Sequence, residues 1–252
     1  MGRYLHSIEL QPIIPASIQH AGAFATNSVL FDWQAIQVPK GSNALISAVA
    51  MVRSKGDTTP TANHVKFDLV FSKTNTVSLG TQRAQPDHRP SNDFIGHATF
   101  EASHYLLAGV SATSVATLGV NEARHPLILT GDINTGDNVG YDTIYVGGIA
   151  GESTVFQSIN AIAEAGAADA ASTQVITMDG SSMDVREHFA AGDTVHIGTT
   201  VGTPAADSLI GTIASADSAT QVTLEAVSPT ALVDGDILYN INPIKIILSL
   251  ER

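Results

Sequence analysis

From Ile244 onward, apolar and polar positions alternate: Ile244, Ile246, Leu248 and Leu250 fall on one side, and Lys245, Ile247, Ser249 and Glu251 on the other. A period of two with β-branched residues, and a proline only ahead of it at Pro243, predicts a strand buried mainly on one face. The beginning of the chain keeps the same rhythm, with Tyr4, His6, Ile8 and Leu10 set against Leu5, Ser7, Glu9 and Gln11. Chain ends in compact domains often lie close together, so these two segments are expected to pair and to close a β-domain between them.

Between the two ends, apolar runs and turn signals alternate every 8–12 residues, the spacing of an all-β protein. Residues 11–25 carry Pro12 and Pro15 and read as an extended connection. Residues 27–38 and 44–52 are apolar runs separated by Pro39-Lys40-Gly41-Ser42, which predicts either a hairpin or a crossing to another part of the sheet. In residues 65–72, Val65, Phe67, Leu69 and Phe71 alternate with Lys66, Asp68 and Ser72. Further strands are expected over 94–100, 105–110, 126–130 and 141–149, whereas 155–162 suits a strand or a short helix.

The style changes after the small-residue stretch 165–171. Strands are expected at 174–178, 194–197, 209–214, 221–226 and 237–239, with a short helix over 182–189 capped by Ser181 or Ser182. Gly192-Asp193 and Gly235-Asp236 each precede an apolar strand, like two corners of one small barrel where glycine supplies a positive φ. The expected plan is a large antiparallel β-sandwich over 1–163, a small β-barrel inserted over 164–239, and a closing strand of the sandwich over 240–252.

Composition narrows the functional classes. The chain of 252 residues is long enough to bury a core without staples, and it has no cysteine, which removes disulfides and thiolate metal sites. Only 14% of its residues are charged, which suits a surface packed against neighbours. The net charge of −12 is concentrated between residues 165 and 236, where Arg186 is the one Lys or Arg among ten acids. An acidic chain with no basic stripe is a poor phosphate binder, so no direct contact with nucleic acid is expected. No apolar run reaches membrane-spanning length and no secretory signal is read at the N-terminus, so no membrane association is expected.

Candidate chemistry is sparse. The sequence has no dinucleotide fingerprint, P-loop, G-x-S-x-G or H-E-x-x-H pattern. His97 and His104 stand seven residues apart on separate expected strands, with nothing to place them on one face. The loop from Asp132 to Asp142 offers oxygen ligands but has Gly136 where a calcium loop wants an acid, Asp137 where it wants glycine, and no closing Glu. It reads as an Asn/Asp/Gly turn, with a loose cation site as the alternative. Trp33, the single tryptophan, reads as a core anchor, with ligand stacking as the alternative. A basic cluster, Arg83, His88 and Arg89, lies in a loop. No catalytic, cofactor-binding or metal-ligating residue, and no cofactor, is expected.

Several segments resemble virion structural proteins of tailed bacteriophages, especially marine and cyanobacterial ones. They are residues 32–42 (DWQAIQVPKGS), 126–131 (PLILTG), 139–149 (VGYDTIYVGGI), 211–224 (GTIASADSATQVTL) and 236–244 (DILYNINPI). The resemblance implies an assembled, non-enzymatic protein of the virion. By analogy it implies a capsid decoration (cement) protein, a homotrimer that binds the major capsid protein on the outer surface of the phage head. The rival readings are a tail, baseplate or fibre module that recognises host glycans through Trp33, Tyr141 or the 132–142 loop, and a glycan-degrading enzyme using two acids brought together in space.

Overall fold

A computed structural model describes residues 5–55, 61–86, 92–107, 113–118, 127–129, 141–156, 160–162, 174–178, 184–198, 208–229, 232 and 234–251. The chain begins with β1 (Leu5–Leu10), a short helix α1 (Ala16–His20), β2 (Val29–Pro39), β3 (Asn43–Val52), β4 (Phe67–Ser72) and β5 (Phe94–Phe100). After a 3-10 turn at Ala102–His104 come β6 (Tyr105–Leu107), β7 (Ser114–Leu118), β8 (Leu127–Leu129), β9 (Tyr141–Ala150) and β10 (Asn160–Ile162). The remainder holds β11 (Val175–Thr177), a 3-10 turn at Val185–Glu187, β12 (Thr194–Gly198), β13 (Ser208–Ser218), β14 (Gln221–Leu224), β15 (Ile237–Asn240) and β16 (Ile244–Glu251).

These strands form three antiparallel sheets. The first runs β1-β16-β3-β7-β6, with β8 also pairing β3, and the second runs β2-β9-β4-β5. The chain ends do pair: Leu5 lies opposite Glu251 and Leu10 opposite Ile246. On its other side β16 is paired along its length with β3. Ile244, Ile246, Leu248 and Leu250 are buried and the residues between them half-buried, as the alternation requires. The inner faces of the two sheets share one core. Leu10, Leu45, Ala48, Ala50, Val52 and the β16 side chains meet Ile36, Val38, Phe67, Leu69, Phe71, Phe100, Ile144 and Val146. Phe67 and Phe100, cross-strand partners, stack with centroids 4.8 Å apart. This is an all-β sandwich with its two terminal strands at neighbouring positions in one sheet.

The 27–38 and 44–52 runs become β2 and β3, which lie in different sheets, so they form no hairpin and the connection passes from one sheet to the other. Two elements were not anticipated. One is β7, a five-residue strand of small side chains whose reading gives little signal. The other is α1, in which Pro15 stands just before the first helical residue, where a missing N–H costs nothing. The ambiguous 155–162 run contributes β10, a strand. The expected helix over 182–189 is a 3-10 turn at Val185–Glu187, and its cap is Asp184, which accepts the Arg186 N–H. Ser181 and Ser182 lie outside the described residues.

The third sheet runs β10-β15-β12-β13-β14-β11 and, among the described residues, is open, which corrects the expected small barrel. Its eleven-residue β13 pairs β12 with its first half and β14 with its second, and register shifts at Val195/His196, Ile213/Ser215 and Ala216/Ser218 curl it. The end strands β10 and β11, three residues each, pair among the described residues only inward, with β15 and β14. The curl still encloses a separate core of Ile176, Met178, Val185, Phe189, Val195, Ile210, Ile213, Val222, Leu224 and Leu238. The corner glycines have the expected backbone, with φ of +88° at Gly192 and +84° at Gly235. We propose that residues 164–239 form a unit distinct from the sandwich of 1–163 and 240–252.

Candidate functional site

Two places concentrate polar side chains: a groove on the outer face of the second sheet, and a buried junction where the third sheet meets the sandwich. The groove follows from strand register. On β4, Asp68 and Val70 point away from the core, opposite Thr99 and His97 of β5 and beside Ile149 and Gly147 of β9. Phe100, Ala98 and Gly96 pair with Phe67, Leu69 and Phe71 on the core side, and continued alternation would put Phe94 there too. The register instead shifts between Phe71 and Ser72, leaving Ile95 as the extra residue; it packs on the core while Phe94 turns outward beside His97. Re-aiming one side chain in this way is what a bulge does.

The chain 73–86 folds over one end of the same face and buries Leu79 against Val29, Val70, Trp33 and Ile149. Asp32 pins it, accepting the Leu79 N–H at 2.6 Å and the Ser78 hydroxyl at 2.7 Å. The Trp33 Nε1–H donates to the Val77 carbonyl at 3.0 Å. Gly147 makes room for this layer, because a Cβ there would lie 2.6 Å from Leu79 and 3.2 Å from the Trp33 ring. What stays open is a groove of about 440 Å³ lined by Asn27, Asp68, Val70, Gln85, Phe94 and His97, with Ile149 on its floor.

The junction is built on Arg53 and Asp193. The Arg53 guanidinium donates to both carboxylate oxygens of Asp193, at 3.1 and 3.0 Å, with both side chains buried. The Ala190 N–H and the Asn240 amide each donate to Asp193 Oδ2 at 2.8 Å, and Asn240 also donates to the His188 carbonyl. Burial pushes the Asp193 carboxyl above the ordinary carboxylate range, against the pull of Arg53 and of these donors. Asn242 extends the network: its amide donates to the Gln11 and Pro12 carbonyls, and its Oδ1 accepts the Thr194 N–H. Gln19 of α1 reaches the Asn240 carbonyl at 2.9 Å. Segments far apart in the chain are thereby fixed to one another by paired polar groups.

His188 belongs to this junction and carries a pH dependence. Its Nδ1 lies 2.9 Å from the Ser54 hydroxyl. Burial first, and then the nearby Arg53 charge, holds its pKa down to about 4. The unfolded chain binds that proton near the ordinary value of about 6.5 while the folded one refuses it until about 4. Stability from this site is therefore complete above the unfolded value and is lost as pH falls towards the folded one, by about 3 kcal/mol. Urea unfolding at two pH values spanning this window should give a smaller acid loss in His188→Gln than in the native chain. An identical loss in both would show that another group carries it.

The structure separates the residues singled out in the sequence. Trp33 is half-buried beneath the 73–86 layer, with its N–H used, so it anchors the outer face and offers no free stacking platform. Tyr141 is exposed at the start of β9, tilted against His6 at 6.1 Å. Residues 132–140 lie outside the described residues. At the far end of that loop Asp142 is buried, and its Oδ2 accepts the Gly41 N–H at 3.3 Å. His97 opens on the groove, while the His104 Nδ1 accepts the Glu101 N–H, so the two are not brought together. Arg83 donates to the Ala23 carbonyl; His88 and Arg89 are not among the described residues. Among the described residues no three His, Asp or Glu side chains cluster as a metal site would require. Asp193 was the residue missed. A Gly-Asp pair before a strand reads as turn chemistry, and only its burial next to Arg53 reveals the ion pair.

Comparison with known proteins adds little to this geometry. No family model and no curated protein matches the chain. Among solved structures it is similar to the crystal structure of STIV MCP, a major capsid protein, at 10% identity and a TM-score of 0.16, over 98% of this chain and 95% of that one. A likeness at that level carries no argument about fold or function.

Proposed function

We propose that this chain is a non-enzymatic structural protein of a phage virion, specifically a decoration protein that binds the major capsid protein on the outer head surface as a homotrimer. The observation that supports this reading best is where the phage-like segments fall. Residues 32–42 lie mostly in β2, 139–149 in β9, 211–224 in β13 and β14, and 236–244 lead through β15 into β16. The 126–131 segment contains β8. All three sheets thus carry the resemblance, and it falls on scaffold strands. The sheet edges suit assembly: among the described residues β1 and β6 end the first sheet, and each presents an exposed leucine, Leu5 and Leu106.

Mechanically, many symmetric copies would bury surface at the junctions between capsomers and so resist internal pressure. Repetition multiplies weak single contacts when all can engage together. Because the chain is acidic, with a net charge of −12, its affinity would rest on apolar and backbone contacts. Added salt should therefore weaken it far less than it weakens a phosphate-binding protein. The test mixes purified protein with undecorated heads, sediments them and heats the particles. Saturable uptake with a higher rupture temperature is expected, and no uptake of free DNA. Absence from heads, with binding to tails alone, would favour a tail or fibre role instead.

A further inference from the structure

The groove on the outer face of the second sheet has no part in holding the sandwich together or in the proposed head contacts. We propose that it is a binding site for a neutral pyranose unit of a glycan, an inference independent of the chain's place on the virion. Its floor is apolar, made by Val70 and Ile149, with the ring of Phe94 standing 52% exposed at one end. That ring is held in place: it meets Trp33 edge-on with centroids 5.7 Å apart, and Trp33 is itself fixed through its N–H to Val77. An exposed phenyl whose aim depends on a strand bulge and a tethered indole is a pre-set contact surface.

The rim is polar, and much of its hydrogen-bonding capacity is unused among the described residues. Asp68 accepts the Thr99 hydroxyl on Oδ1, and no described residue hydrogen-bonds its Oδ2. Among the described residues, the side chains of Asn27, Gln85 and His97 have no hydrogen-bond partner, although all three line the groove. Together they offer a carboxylate acceptor, two carboxamides that both donate and accept, and an imidazole. An apolar ring face on one side and alternating donor-acceptor groups around the edge are the two faces of a pyranose. An aliphatic ligand would use the floor and leave the rim polar groups desolvated and unpaired. A flat heteroaromatic would cover Phe94 yet leave most of the rim unused.

Charge decides the remaining alternative. Among the described residues Asp68 is the charged side chain lining the groove, so a phosphate, sulfate or uronate would be repelled there. The cavity, about 440 Å³, falls within the roughly 300–1,000 Å³ of small-molecule sites.

The probes are maltose, cellobiose, lactose and N,N′-diacetylchitobiose, with 3′-sialyllactose as the anionic control. Binding is read by saturation-transfer NMR and titration calorimetry on the full chain. At least one neutral disaccharide should receive saturation at its pyranose C–H protons, while 3′-sialyllactose should bind more weakly. Phe94→Ala and Asp68→Ala should each weaken that binding about tenfold or more, a loss of one good contact. Val227→Ala, an exposed apolar change elsewhere, should leave it unaltered. If Phe94→Ala lowers the melting temperature, Asp68→Asn and His97→Ala decide in its place. The proposal is overturned if no neutral sugar receives saturation, if the groove variants bind as the native chain does, or if the anionic sugar binds as tightly as the neutral one.

Discussion

Deletion of residues 244–252 is expected to abolish cooperative folding. Strand β16 contributes four buried side chains, Ile244, Ile246, Leu248 and Leu250, to the shared core. Each is worth about 1.5–3 kcal/mol on burial, so the set approaches the whole net stability of a domain, about 5–15 kcal/mol. The strand also sits between β1 and β3, so its loss strips hydrogen-bond partners from both neighbours. The shortened chain should aggregate or show a flat urea curve by circular dichroism, and Leu248→Ala alone should cost about 2–5 kcal/mol. A soluble product with native cooperativity would mean that the terminal strand is peripheral.

The second large effect concerns the junction. Asp193→Ala leaves the Arg53 guanidinium buried with its carboxylate partner gone, and removes an acceptor from Ala190 and Asn240. Breaking a buried pair from one side costs about 3–5 kcal/mol. Replacing both partners by apolar residues of similar size, Arg53→Met with Asp193→Leu, should recover much of that loss, since desolvating two charges offsets most of their attraction. A double-mutant cycle in urea checks this. Equal stabilities for Asp193→Ala and the native chain would mean that the pair is open to water in solution.

What was legible in the sequence follows from which interactions are local. Alternation over six or more residues found β1, β4, β9 and β16, because a half-buried strand must alternate. Pairing is non-local, so nothing in residues 27–52 told a hairpin from a crossing between sheets. The barrel was read from two Gly-Asp corners, yet closure depends on whether β10 and β11 meet, which is a property of the curl in β13. The groove was illegible for the same kind of reason. Alternation carried back from Phe100 would point Phe94 inward, and the unpaired Ile95 reverses it. Trp33 was read as a core anchor; it is instead half-buried in a small cluster on the outer face, a place that depends on the irregular pairing of β2 between Val29 and Gln34.

The proposal of a virion decoration protein is tested most directly by imaging native particles that contain this chain by cryo-electron microscopy, with symmetry averaging over the head. The account predicts density for the two-sheet sandwich at regular positions on the outer head surface, in three-fold clusters that touch the major capsid protein. Heads without such density, with the chain resolved only on the tail or its fibres, would contradict it.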